Sequence, residues 1–198
     1  MNLIIRVLGQ SHQPAKRNRY ADMTWLEKIK LNLFIRATQH QLALTSTPDL
    51  SAFKKTNIAI LFNGTNPQDR HTADKLVQEL RDNGHNVSVL GYVDTYAEAV
   101  SYSFKHFYRK NLNWYYLPTH DDIESFLRLP YHILINLAPA DLWPMHYIAA
   151  RAQARFKIGP YCHHLKIYQL MLSDQNELDL NDTIAQIKKL LSTIQYHG

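Results

Sequence analysis

Asn63, Gly64, Thr65 and Asn66 lie between an apolar run and a polar helix start in "IAILFNGTNPQDRH", and backbone amides in such a position can hold a phosphate. The residue pattern lacks the usual specialisation. One glycine is present, neither GxGxxG nor GxxxxGK[ST] occurs, and Pro67 has no amide hydrogen to offer. A hydrogen-bonded turn that caps the following helix is the competing reading. Asp141 is a second candidate: it follows the apolar "ILINLAP" and could serve as a base, although no nucleophile pairs with it. Cys162, His163 and His164 are metal-ligating types in a row, but neighbouring side chains diverge. No C-x2-C or H-x3-H pair accompanies them, so no metal is expected, and a thiolate activated by His163 is the lesser chemical option. Asp121, Asp122 and Glu124 fall where a helix start stabilises carboxylates. No Ser-His-Asp order or nucleophile elbow is readable, which leans away from an enzyme, and no cofactor is implied.

A third group is aromatic. Phe104, Phe107, Tyr108, Trp114, Tyr115 and Tyr116 are interspersed with Lys105, Arg109 and Lys110. Rings beside cations can stack nucleobases, and the same rings can equally pack a core.

Charge points the same way as the cations. The chain carries a formal net charge of +5, and residues 1–55 hold nine basic against three acidic side chains. Lys16, Arg17, Arg19, Lys28, Lys30 and Arg36 are the candidate contacts to a polyanion, RNA or a ribonucleoprotein first among them. A face built on Trp25 and Leu33 with these cations beside it would alternatively suit an anionic membrane surface. No apolar stretch has the ~18 residues of a membrane span, and a single cysteine fits a reducing cytosol. A cytoplasmic protein is the expectation.

These groups must be positioned by elements with readable periods. Residues 1–55 read as a basic arm with one helix over 24–44. Thr24 and Glu27 have capping-box spacing, and Trp25, Ile29 and Leu33 form the apolar stripe. From residue 56 to 198 strands alternate with helices. Strands are expected at 57–62, 85–93, near 104–107, at 131–138 and at 155–159. Helices are expected at 69–84, 121–127, 142–154 and 182–194. Continuous apolar strands separated by amphipathic helices predict a Rossmann-like three-layer α/β domain with a mostly parallel sheet. Such a sheet gathers ligands at the carboxyl ends of its strands, where Asn63 to Asn66, Asn136 through Asp141, and Gly159 to Tyr161 would meet.

The segments "IAILFNGTNPQDR", "VLGYVD", "KNLNWYYLP", "ILINLAP" and "FKIGPY" resemble, in order, a bacterial family of small proteins with a domain of unknown function, over about residues 54–195. The resemblance implies an α/β fold behind a basic arm and carries no activity. It directs attention to the motif positions, including Asp69, Arg70, Trp114 and Pro160. "ILINLAP…FKIGPY" is also similar to one half of heptosyltransferase-like glycosyltransferases, which implies a shared fold. These readings favour a non-catalytic binding protein whose arm contacts RNA. The alternative is a small-ligand protein or enzyme using a nucleotide or phosphorylated sugar, with Asn63, Gly64, Thr65, Asn66, Asn136, Asp141, Gly159 and Tyr161 around the cleft.

Overall fold

Ile58, Ile60 and Phe62 pack into one buried cluster while Ala59 and Leu61 pack into another on the opposite face. The strand that carries them is therefore covered on both sides, as its unbroken apolar sequence requires. The computed structural model describes residues 23–39, 56–96, 101–162, 165–172 and 179–196, with side chains through 189. In chain order the elements are α1 (Trp25–Gln39), β1 (Asn57–Asn63), α2 (Pro67–Asp82), β2 (Asn86–Val93) and β3 (Lys105–Tyr108). Then come α3 (Asp121–Leu127), β4 (Tyr131–Asn136), α4 (Trp143–Arg151), β5 (Ala154–Pro160), β6 (Leu170–Leu172) and α5 (Leu180–Tyr196).

The six strands form one sheet in the order β3-β2-β1-β4-β5-β6, and every neighbouring pair is parallel. Strand order reverses between β1 and β4, so a crevice opens beyond their carboxyl ends. Ala73, Leu76 and Val77 of α2 join Ile184 and Ile187 of α5 against one face. Ile123 and Phe126 of α3, Met145 and Ile148 of α4, and Phe34 of α1 cover the other. This is the expected three-layer α/β architecture, with a sheet that is wholly parallel.

Local chemistry sets the boundaries. Helix α2 begins two residues before the expected start, because the Asn66 side chain accepts from the Gln68 amide and Pro67 occupies the first turn. It ends where Gly84 takes φ +85°; the Gly84 amide donates to the Arg81 carbonyl and the His85 amide to the Leu80 carbonyl. Helix α3 is capped by His120, whose Nδ1 accepts from the Asp122 amide. Asp122 accepts from the His106 amide and ties α3 to β3. Strand β6, three residues long, was not expected.

The stripe on α1 differs from the spacing-based expectation. Trp25 is 73% exposed and Ile29 43% exposed, whereas Leu31, Phe34 and Thr38 are buried. Phe34 decides the orientation by seating its ring 5.7 Å from that of Trp143 and 6.5 Å from that of Tyr147 on α4. Thr38 tolerates burial because its hydroxyl donates to the Phe34 carbonyl. The described part of the arm is thus docked on the α/β domain.

A polar chain crosses the α4 side of the core. Asn136 Nδ2 donates to the Tyr168 hydroxyl at 2.7 Å. Nδ1 of His146 lies 2.8 Å from that hydroxyl, and Nε2 lies 2.9 Å from the Ala140 carbonyl. A carbonyl only accepts, so Nε2 carries the hydrogen, and a neutral ring then accepts from Tyr168 at Nδ1. Each member has a partner, which is what burial of Asn136 and His146 demands. Gly159 makes room for this arrangement, since a Cβ there would stand 2.4 Å from the Tyr168 ring. Lys157 is also buried; its Nζ donates to the Ala150 carbonyl near the end of α4, and burial draws its ammonium down to about 8.

Two outcomes follow from this packing. Phe34→Ala should lower stability by about 3–5 kcal/mol in urea denaturation, with faster amide exchange across α1. Burial lowers the titration of His146 and His85 below the ordinary histidine value. The unfolded chain then binds more protons than the native one once the pH drops below ~6.5. Stability should hold above that pH and fall as the pH descends toward 5, and His146→Gln should make the decline shallower in pH-dependent melting.

Candidate functional site

Tyr92 and Asp94 at the end of β2, Arg109 after β3, and Asp141 after β4 meet at the carboxyl edge of the sheet, where they border a cleft of about 580 Å³. Met23 and, from α1, Glu27 and Lys30 close one side. Leu112, Asn113, Trp114 and Tyr116 form another wall, and Trp143 and Pro144 bring in the first turn of α4. The volume falls within the range of small-molecule sites.

The 112–116 wall is built by two asparagines. Asn111 Oδ1 accepts from the Tyr108 amide, and Asn113 Oδ1 accepts from the amides of Tyr115 and Leu117. A bridge between Leu112 and Pro118 closes the segment. Tyr116 is held at φ +68°, a left-handed conformation that costs a non-glycine residue on the order of 1–3 kcal/mol. Its ring meets Trp143 edge-on at 5.5 Å, and the Lys30 ammonium sits 5.4 Å from its centroid.

Charges inside the cleft are mutually arranged. Arg109 lies 3.5 Å from Asp94 and 5.6 Å from the centre of the Tyr96 ring. The Tyr92 hydroxyl donates to Asp94 at 3.1 Å, and burial, then the Asp94 charge, pushes its titration upward, which keeps it a donor. Glu27 accepts from the amide and hydroxyl of Thr24 at 2.7 and 2.8 Å, completing the capping box of α1. Those bonds hold its carboxyl below the usual range, the backbone bond most of all.

The 63–66 turn has a different job in this arrangement. The Gly64 amide donates to the Tyr92 carbonyl, the Thr65 amide and hydroxyl donate to Asn63 Oδ1, and the Asp94 amide donates to the Thr65 hydroxyl. Arg70 donates to the carbonyls of Gly64 and Thr65 from α2. The turn ties β1 to β2 and caps α2, and its amides at 64 and 65 are already engaged. Asn136 lies wholly inside the core, not on a cleft wall, because strand alternation places it with Leu134 beneath α4. Gly159 is buried under Tyr168, and Tyr161 stands at the rim of β5, 43% exposed.

Of the positions named from the sequence, Lys30, Arg109, Trp114, Tyr116 and Asp141 line the large cleft. Asn63 borders a smaller cavity of about 220 Å³ with Asp69, Pro139, Asp179 and Thr183. Burial, and then the Asp179 charge, raises the Asp69 carboxyl there. Lys28 is half-buried on α1 and Arg36 is exposed, while Lys16, Arg17, Arg19, His163 and His164 lie outside the described residues. Among the described residues no group of three His, Cys, Asp or Glu could hold a metal. Asp94, Tyr92, Glu27 and Trp143 were missed. The available signals were the acidic residue closing "GYVD" and the paired asparagines of "KNLN".

No helix among the described residues is long and apolar enough to cross a membrane. No curated protein and no solved structure matches the chain. A family model does match, over residues 28–194, beginning inside α1 and ending inside α5. It thus takes in the arm helix from Lys28 onward, the whole described sheet and most of the cleft. The chain belongs to this family, described as a family of unknown function (DUF6913).

Proposed function

We propose that the protein is a cytoplasmic, non-catalytic binding protein whose ligand is a small molecule with a planar ring, seated in the cleft beyond β2, β3 and β4. The observation that carries this reading is the aromatic wall of Trp114, Tyr116 and Trp143 around about 580 Å³ at the carboxyl edge. Between the two ligand classes suggested by the sequence, a nucleotide fits this wall better than a phosphorylated sugar. The resemblance of "ILINLAP…FKIGPY" to glycosyltransferase halves, a likeness of sequence alone, adds nucleotide sugars to the compounds for testing. Thermal-shift screening against these compounds should raise the melting temperature by several degrees at concentrations well above Kd. Trp114→Ala should abolish that shift with little change in the melting of the free protein, because Trp114 is 57% exposed. A flat screen would refute the reading.

Charge supports a second reading, in which the arm binds RNA through Lys16, Arg17, Arg19, Lys28, Lys30 and Arg36. Nine basic residues in the first 55 motivate it. Affinity for single-stranded RNA should fall with salt by roughly 0.7 logarithmic units per logarithm of salt for each phosphate contact. Replacing Lys16, Arg17 and Arg19 together by alanine should reduce that slope. Salt-independent binding, or stronger retention on anionic vesicles through exposed Trp25, Leu26 and Ile29, would exclude it.

A further inference from the structure

We propose that the cleft recognises a nucleoside, an unpaired base with its ribose, and that Asp94 is the acceptor for the ribose hydroxyls while Trp114 supplies the surface on which the base stacks. This rests on the cleft being the ligand site and adds the class of ligand.

Three features of the lining select this chemistry. Its carboxylates (Glu27, Asp94 and Asp141) outnumber its cations (Lys30 and Arg109). A ligand with several phosphates inside the cleft would meet like charge, so the enclosed portion carries no such phosphate group. An organic cation finds fewer open ring faces, because those of Tyr116 and Tyr96 already carry Lys30 and Arg109 at 5.4 and 5.6 Å. What remains is an exposed indole at Trp114 and, at Asp94, a carboxylate oxygen that no donor among the described residues contacts. A planar neutral base and a pair of hydroxyl groups supply both needs.

Asp94 is the best placed acceptor. It follows β2 at the carboxyl edge, its amide is fixed by the Thr65 hydroxyl, and its side chain is 45% exposed. The Tyr92 hydroxyl and Arg109 both contact Oδ1. Oδ2 is therefore, among the described residues, the oxygen open to a ligand. A carboxylate accepting from two vicinal hydroxyls distinguishes ribose from deoxyribose, because loss of one hydroxyl leaves a desolvated acceptor without a donor. The nucleoside can come free, as a monophosphate, or as the unpaired end of an RNA strand, and the recognising contacts are the same.

Calorimetric titration of the full chain tests this with adenosine, guanosine, cytidine and uridine, their 2′-deoxy forms, the monophosphates, free ribose and glucose. A six-nucleotide RNA with a free 3′ diol and the same RNA with a 3′ phosphate complete the series. At least one ribonucleoside should bind about tenfold or more tightly than its deoxy form. Trp114→Ala should weaken both forms about tenfold, and Asp94→Asn should bring the ratio between them near one. Tighter binding of the RNA with a free diol than of the 3′-phosphorylated strand identifies a strand end as the source; equal or weaker binding than the nucleoside identifies the free compound. Equal affinity for ribo and deoxy forms in the unmodified protein overturns the proposal without recourse to any variant. So does glucose binding as tightly as a nucleoside. If some other compound binds and Trp114→Ala releases it, the cleft stands as the site and the nucleoside assignment falls. If nucleosides bind and neither substitution matters, the cleft itself is the wrong site.

Discussion

All six strands run the same way, and that constraint organises the rest of the molecule. A parallel neighbour cannot be reached by a tight hairpin, so the chain must return over a face of the sheet before each new strand. The returns here cover both faces, which explains why β1 and β4 are apolar at nearly every position. They also place all carboxyl strand ends, with the starts of the following helices, at one edge. The cleft, the smaller cavity and the polar chain through Tyr168 all gather there for that reason.

What the edge can bind is then decided by which polar groups are already satisfied. The turn after β1 faces the crevice, yet its amides at 64 and 65 bind the protein's own acceptors and Arg70 closes it from α2. After β4, Asn136 turns inward to Tyr168 and contributes shape, not contact. Space is left farther along, over β2 and β3, where Asp94 and the 112–116 segment face α1. The strained backbone of Tyr116 belongs to this wall, and the side chains around it hold the ring in place against Lys30 and Trp143.

Strong periodicity made β1, α2, β4 and α5 legible from the sequence to within a few residues, and the alternation of strand and helix gave the three-layer class. Where several patterns compete, sequence spacing was a poor guide. On α1 the i, i+4, i+8 series of Trp25, Ile29 and Leu33 is more apolar than Leu31, Phe34 and Thr38, but docking on α4 buried the latter set. Strand β6 has too few residues for a period. At the site, polar residues after strong strands drew attention, and these include Asn136, whose inward direction depends on the strand's phase. Asp94 and Tyr92 were overlooked because one acidic residue closing "GYVD" is a weak signal by itself; only the return of a distant helix makes a cleft beside it.

That distance has a consequence for how the protein is made. Helix α1 leaves the ribosome well before its seat around Trp143 and Tyr147, which is synthesised roughly a hundred residues later. At ordinary elongation rates the interval is on the order of 5–20 s. Throughout it Leu31 and Phe34 have no core to enter, so the nascent chain presents an uncovered apolar stripe, and the side of the cleft that α1 supplies is completed only after α4 is made.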